Sequence, residues 1–144
     1  MISTKGRYAL RVMVDLAINS DGNYITLKEI SARQNISLKY LEQVIALLNR
    51  AGYLRSLRGN NGGYMLAVDP EKITAGDILR AAEGTLAPIQ CLKGESNVCT
   101  RASVCSTLGF WEGYYEVITD YVDSKTLAEL AEDARLMSGD NYVI

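Results

Sequence analysis

The chain has 144 residues, 48% of them hydrophobic and 22% charged, which suits one domain plus an oligomerisation element, or two small lobes. It has no apolar run of membrane-spanning length, and Met1-Ile2-Ser3-Thr4-Lys5 lacks the apolar stretch of a secretory leader, so a cytoplasmic, reducing setting is expected. The formal net charge of −2 argues at first against a polyanion binder, but the charge is divided: residues 1–67 carry nine Lys/Arg against four Asp/Glu, and residues 68–144 carry six against thirteen.

In chain order, Ser3 caps a helix expected to run to about Asn19, because Ala9, Val12, Met13, Leu16 and Ala17 recur with helical spacing on one face. Ser20-Asp21-Gly22-Asn23 is a turn. Thr26 and Glu29 form a capping box that opens a short helix to about Arg33. After Gln34-Asn35-Ile36, Ser37 caps a further helix with Leu41, Val44, Ile45 and Leu48 on one side, and Gly52 suits its C-terminal end. Two short helices joined by about three residues, the second amphipathic, make a helix-turn-helix over about 26–51.

Tyr53 to Arg58, a glycine-rich loop from Gly59 to Gly63, and Tyr64 to Val68 then read as strand, loop, strand. A hairpin at about 53–68, directly after a recognition helix, is a wing. Thr74-Ala75-Gly76-Asp77 starts another helix, and the DNA-binding domain is assigned to residues 1–83. Residues 84–105 lack periodicity and read as a loop. A long helix is expected from about Ser106, with Leu108, Trp111, Tyr115, Ile118 and Val122 spaced as a coiled-coil seam and assigned to a dimer interface. Thr126-Leu127-Ala128-Glu129 opens a last short helix, so residues 106–137 form a dimerisation element and 138–144 a frayed tail. The expected fold is mainly α with a small β wing: a winged helix-turn-helix domain plus a long dimerisation helix.

A recognition helix meets base edges with the polar side chains of its first turns. Here those are Ser37, Lys39, Tyr40, Glu42 and Gln43. Gln43 can pair with adenine and Glu42 can accept from cytosine, while Ser37, Lys39 and Tyr40 suit phosphates. At the wing tip, Arg58 beside Gly59 can enter a narrow minor groove. The expected partners are a second copy of the chain and double-stranded DNA with a near-palindromic operator, with no membrane and no small-molecule substrate. Catalysis is not expected: the chain has no histidine, and its glycine-rich loop leads into a strand rather than a phosphate-binding helix.

Cys91, Cys99 and Cys105 are the only cysteines, spaced C-x7-C-x5-C. An odd set of thiols in a reducing compartment points to metal or redox chemistry rather than a disulfide framework. An iron–sulfur cluster, a zinc site, a dithiol switch and unliganded thiols all fit that pattern, and wide spacing in a loop favours the cluster. With no histidine, a fourth ligand is open among Lys93, Glu95, Ser106, Thr107, Glu112, an exogenous thiol and the partner subunit.

Lys5-Gly6-Arg7-Tyr8-Ala9-Leu10, Ile36-Ser37-Leu38-Lys39-Tyr40-Leu41-Glu42-Gln43, Leu57-Arg58-Gly59 with Gly62-Gly63-Tyr64, and three cysteines ahead of Phe110-Trp111 together resemble the IscR-like iron–sulfur cluster regulators. The likeness covers about residues 2–130 and extends to nitric-oxide sensors of the NsrR type and cysteine regulators of the CymR type. The resemblance implies a winged-helix dimer with crossed long helices. It implies Cys91, Cys99 and Cys105 as cluster ligands, and Ser37, Tyr40, Glu42, Gln43 and Arg58 at DNA. Leu108 stands where the IscR-like pattern has a histidine ligand, Arg7 stands where NsrR-like chains offer an aspartate, and the first cysteine gap is wider than the family's. The expected function is a repressor of iron–sulfur assembly or cysteine-metabolism genes, gated by a cluster, 2Fe–2S ahead of 4Fe–4S. The alternative is the same DNA reader governed by thiol oxidation or by a cysteine-synthesis partner enzyme.

Overall fold

A computed structural model describes residues 1–140. Helix α1 (Thr4–Asn19) is the central element. Its Ala9, Val12, Met13 and Leu16 are fully buried, and helices α2 (Leu27–Gln34), α3 (Leu38–Arg50) and α4 (Ala75–Glu83) all pack against it. Four side chains of α3, Leu41, Val44, Ile45 and Leu48, complete this core. Burial of each stabilises the fold by about 1.5–3 kcal/mol, so α3 is held by its apolar face and its opposite face is left to solvent.

The helix ends follow local chemistry. The Ser3, Thr26, Ser37 and Thr74 hydroxyls each accept a backbone N–H of the first turn they precede. Thr26 with Glu29 and Thr74 with Asp77 form reciprocal capping boxes. At the end of α3, the Gly52 N–H donates to the Asn49 carbonyl at 3.0 Å and the Tyr53 N–H to the Leu48 carbonyl at 3.1 Å, with Gly52 at φ +82°. That left-handed closure is the one a glycine stabilises. It turns the chain into strand β1 (Leu54–Leu57), which pairs antiparallel with β2 (Gly63–Leu66), Leu54 opposite Leu66 and Leu57 opposite Gly63.

The wing is fastened to the reading head by a third backbone segment. Ile25 and Tyr64 exchange N–H to carbonyl bonds of 2.8 Å in both directions. A Cβ on Gly63, whose φ is +148°, would lie 2.4 Å from the Ile25 carbonyl oxygen, and one on Gly62 would lie 2.1 Å from the Leu57 carbonyl oxygen. Gly62 is therefore needed for the hairpin's own closure and Gly63 for the close approach of Ile25, whereas Gly59 (φ +109°) faces open space.

The segment after α4 is irregular apart from single 3-10 turns at Gln90–Leu92 and Ala102–Val104. Helix α5 (Leu108–Ser124) starts two residues later than the expected Ser106, because Thr107 is not helical and gives no side-chain cap. Helix α6 (Leu127–Asp140) differs more from expectation. It is not short, it continues through residues 138–140 of the expected tail, and it packs against α1. Its Leu127 is buried in the α1 cluster, its Ala131 is also buried, and the Arg135 guanidinium donates to the Ala17 carbonyl at 3.4 Å. The remainder of that tail, residues 141–144, lies outside the described residues.

Candidate nucleic-acid interface and cysteine loop

The polar turns of α3 are fixed from beneath and open above. Ser37, Lys39, Glu42 and Gln43 are exposed, on the side opposite the buried Leu41, Val44, Ile45 and Leu48. Tyr40 is half-buried; its ring meets that of Tyr8 on α1 edge-on, with centroids 5.2 Å apart and planes at 82°. Tyr40 is therefore anchored by its ring, and its hydroxyl end is what remains for a ligand. Ser37 serves as N-cap through its Oγ, which accepts the Tyr40 N–H at 3.3 Å. Leu38 is an exposed apolar residue of the same turn, and a thymine methyl is the kind of group it can contact. Periodicity reading passed over it because it is neither core nor polar.

Arg58 and Gly59 are exposed at the wing tip, immediately after β1. Among the described residues, no ion pair occupies Lys39 or Arg58. Both cations are left available to phosphate or a groove.

Sequence reading missed the network behind the turn. Asp15 on α1 is 2% exposed. It accepts from Arg33 Nε at 2.9 Å, Arg33 Nη2 at 2.8 Å and Gln34 Nε2 at 2.9 Å. Hydrogen bonding to Asp15 holds the Arg33 guanidinium above its ordinary pKa. Arg11 on α1 donates from Nε to Gln34 Oε1 at 3.1 Å and from Nη2 to the Gln34 carbonyl. Only a charged residue on the buried face of α1 hints at this from sequence, and it does not name the partner.

The cysteines sit in the irregular segment. Cys91 is half-buried in the first 3-10 turn; Cys99 and Cys105 are exposed. The Cys99 N–H donates to Asn97 Oδ1 at 2.9 Å, while Asn97 Nδ2 is buried without a partner. Cys105 lies three residues before the start of α5, with its Sγ 3.7 Å from Thr107 Oγ1. The Thr107 N–H and then its hydroxyl, aided by the Leu108 N–H and the Arg101 charge, hold the Cys105 thiol below its ordinary pKa. Among the described residues, no three His, Cys, Asp or Glu side chains converge as a metal site. The donor chemistry nevertheless fits a thiolate-ligated group. Three soft donors share one segment, two of them open to solvent, and the chain has no histidine to divert the site toward mixed ligation.

The seam expected to pair subunits is half covered within its own chain. Leu108, Trp111, Tyr115, Ile118 and Val122 are half-buried, and Ile118 and Val122 line a cavity of about 210 Å³ with Ile2, Leu79 and Leu86. Both sides of α5 carry apolar residues at helical spacing, and Ile118 and Val122 of the expected seam share the cavity beside α4 with Tyr114. The exposed stripe is Phe110, Tyr114, Val117 and Tyr121, with Val117 70% exposed.

The profile of the Rrf2 family, described as iron-dependent transcriptional regulators, matches residues 2–133. This chain belongs to the Rrf2 family. It is 38% identical over 135 residues to the rrf2 protein of Nitratidesulfovibrio vulgaris, covering 94% of this chain and 89% of that one. Among solved structures, CymR, the global cysteine regulator of Bacillus subtilis, superposes with a TM-score of 0.74 at 39% identity, covering 92% of this chain and 96% of that one. IscR of T. potens gives a TM-score of 0.74 at 39% identity, covering 93% and 88%. The chain is thus a winged-helix transcriptional regulator of the IscR/CymR type, a DNA-binding protein and not an enzyme.

Proposed function

We propose that this Rrf2 protein is a dimeric repressor that reads a near-palindromic operator and is gated by an iron–sulfur cluster held by Cys91, Cys99 and Cys105. The domain plan that goes with this reading is a DNA-binding unit over residues 1–83, a cluster loop over 84–105 and a pairing helix after it. The observation that carries the DNA half is the exposed polar edge of α3 (Ser37, Lys39, Glu42, Gln43, with Tyr40), followed by a wing whose Arg58 and Gly59 are exposed and whose Arg58 makes no ion pair among the described residues. Gln43 and Glu42 suit base edges, while Ser37, Lys39 and Tyr40 suit the backbone. Glu42 raises the demand on sequence because a carboxylate repels phosphate wherever its base partner is missing. Iron–sulfur assembly or cysteine-metabolism genes are the proposed targets.

The thiols would supply three of the four ligands a cluster takes, with the fourth from outside the histidine-free set or from the partner subunit. When bound, the cluster supplies a redox- and oxygen-sensitive connection between the loop and the base of α5. Leu108 cannot ligate, so this chain departs from any site that uses a nitrogen donor at that position.

The test is anaerobic purification with visible absorption and with iron and acid-labile sulfide counted per chain, followed by operator titration of loaded and stripped protein. About two irons and two sulfides per chain are expected. Replacing all three cysteines by serine is expected to leave operator binding measurable but indifferent to reconstitution. Retained cluster sensitivity in that variant refutes the ligand assignment. Colourless protein that cannot be reconstituted favours the second reading, the same DNA reader governed by thiol oxidation or a partner enzyme. The observation behind that reading is that Cys99 and Cys105 are exposed, with the Cys105 thiol held below its ordinary pKa by the Thr107 N–H and hydroxyl.

A further inference from the structure

The turn between α2 and α3 sets the direction in which α3 points, and it is held from α1 rather than by its own residues alone. Asn35, at the end of α2, is left-handed (φ 53°, ψ 49°), and the Ser31 hydroxyl donates to the Ile36 carbonyl at 2.6 Å. The last carbonyls of a helix have no partner within it. Arg11 Nη2 satisfies the Gln34 carbonyl, and Arg11 Nε holds Gln34 Oε1 at 3.1 Å. The other amide atom of Gln34, Nε2, is held by Asp15 at 2.9 Å, so Gln34 is gripped from both sides. The same Arg11 guanidinium lies 5.4 Å from the centroid of Tyr8, whose ring abuts Tyr40 in the first turn of α3. One side chain therefore touches the end of α2 directly and the start of α3 through a single ring.

We infer that Arg11 is a positioning residue for operator recognition, one that aims the first turn of α3 by clamping Gln34 and Tyr8 and does not itself bind phosphate. The inference rests on the DNA-reading function proposed above. A planar fork with fixed donor directions is needed for this grip, because Nε and Nη2 engage two acceptors of one residue while the face of the guanidinium meets Tyr8. Lysine keeps the charge and loses the fork. Base readout depends on bidentate alignment at the groove floor, whereas phosphate contacts tolerate small rotations. Loss of the clamp therefore removes discrimination before it removes general affinity.

The experiment compares wild type, Arg11→Met and Arg11→Lys on two duplexes across a salt series. One duplex is selected from a random library by the wild-type protein, and the other is random-sequence DNA of equal length. Both variants are expected to lose about tenfold in the ratio of selected to random affinity, with random-sequence affinity and the salt slope held at wild-type values. Loss on both duplexes alike in Arg11→Met, with a salt slope smaller by about one and recovery in Arg11→Lys, marks a phosphate contact and overturns the inference. A fall in melting temperature with an unchanged ratio assigns Arg11 to stability alone and overturns it too. A wild-type protein that selects no duplex overturns the DNA-reading function itself, an outcome visible before any variant is measured.

Discussion

Asp15 and Arg33 are a half-buried pair whose two members are not equivalent. Asp15 lies in the core of α1 and its side chain is 1% exposed, whereas the Arg33 side chain is 36% exposed and has water at its edge. Removing Arg33 strands a carboxylate among Val12, Leu16 and their neighbours with Gln34 as its remaining donor. Removing the charge of Asp15 leaves a guanidinium that can hydrate. The cost of breaking a buried pair is dominated by the partner left behind. Arg33→Met is therefore expected to destabilise by about 3 kcal/mol, against about 1–2 kcal/mol for Asp15→Asn. Thermal unfolding by circular dichroism checks the order, and an equal or reversed pair of shifts would show that Asp15 is hydrated in the folded protein. Serine and threonine caps at the helix starts are residue-scale features that sequence displays openly, since donor and acceptor lie two or three positions apart. Asp15 and Arg33 lie 18 positions apart, and nothing in the spacing selects one arginine over another.

Helix α5 shows at the scale of an element how local rules run out. Its C-terminal end is clamped to α4. Arg80 donates to both oxygens of Asp123 at 2.8 Å, the Ala75 N–H donates to the Lys125 carbonyl at 2.8 Å, and Gly76 has no side chain to obstruct the ion pair above it. The Arg80 hydrogen bonds, with its charge, hold the Asp123 carboxyl below its ordinary pKa. A depressed carboxylate contributes stability above its unfolded pKa and loses that contribution as pH falls through the folded value. The pair is partly exposed and screened, so Asp123→Asn is expected to lower the melting temperature at pH 7 by only about 1–2 °C. That difference should start to narrow below about pH 4 and close once the depressed folded value is passed. Melting curves of both proteins from pH 7 downward test this, and a gap that does not narrow below about pH 4 would assign the effect to packing. The extent of α5 and the box that opens α6 were readable because spacing and capping are local. The inward face of α5 was not, because Leu108, Trp111, Tyr115, Ile118, Val122 and Phe110, Tyr114, Val117, Tyr121 satisfy the same periodicity. What α4 and Leu86 cover is drawn from both sets, Ile118 and Val122 from one and Tyr114 from the other, and only the tertiary packing decides that. The docking of α6 on α1 was hidden for the same reason, since Leu127 and Ala131 read equally well as a stripe of a helix that continues outward.

At the scale of the whole molecule, the chain has a basic reading edge at one end and an uncovered aromatic stripe on α5. Phe110, Tyr114, Val117 and Tyr121 are spaced four, three and four residues apart, and Phe110 is 65% exposed. A contiguous apolar stripe of this kind marks an interaction surface more often than an idle one. A second copy of the chain is the occupant that suits a reader of a two-fold site, because a symmetric pair aligns two α3 helices about one DNA turn apart. The two faces of α5 then make opposite predictions. Val117→Asp places a charge in the proposed interface and touches little within its own chain. It is expected to yield folded monomers and to weaken operator binding more than tenfold, because the second half-site is no longer tethered to the first. Ile118→Asp puts the same charge into the cavity beside α4 and is expected to lower the melting temperature first. Sedimentation velocity with matched operator titrations separates the cases. A Val117→Asp protein that still sediments as a dimer and binds its operator like wild type would place subunit pairing elsewhere and leave the aromatic stripe to a different partner.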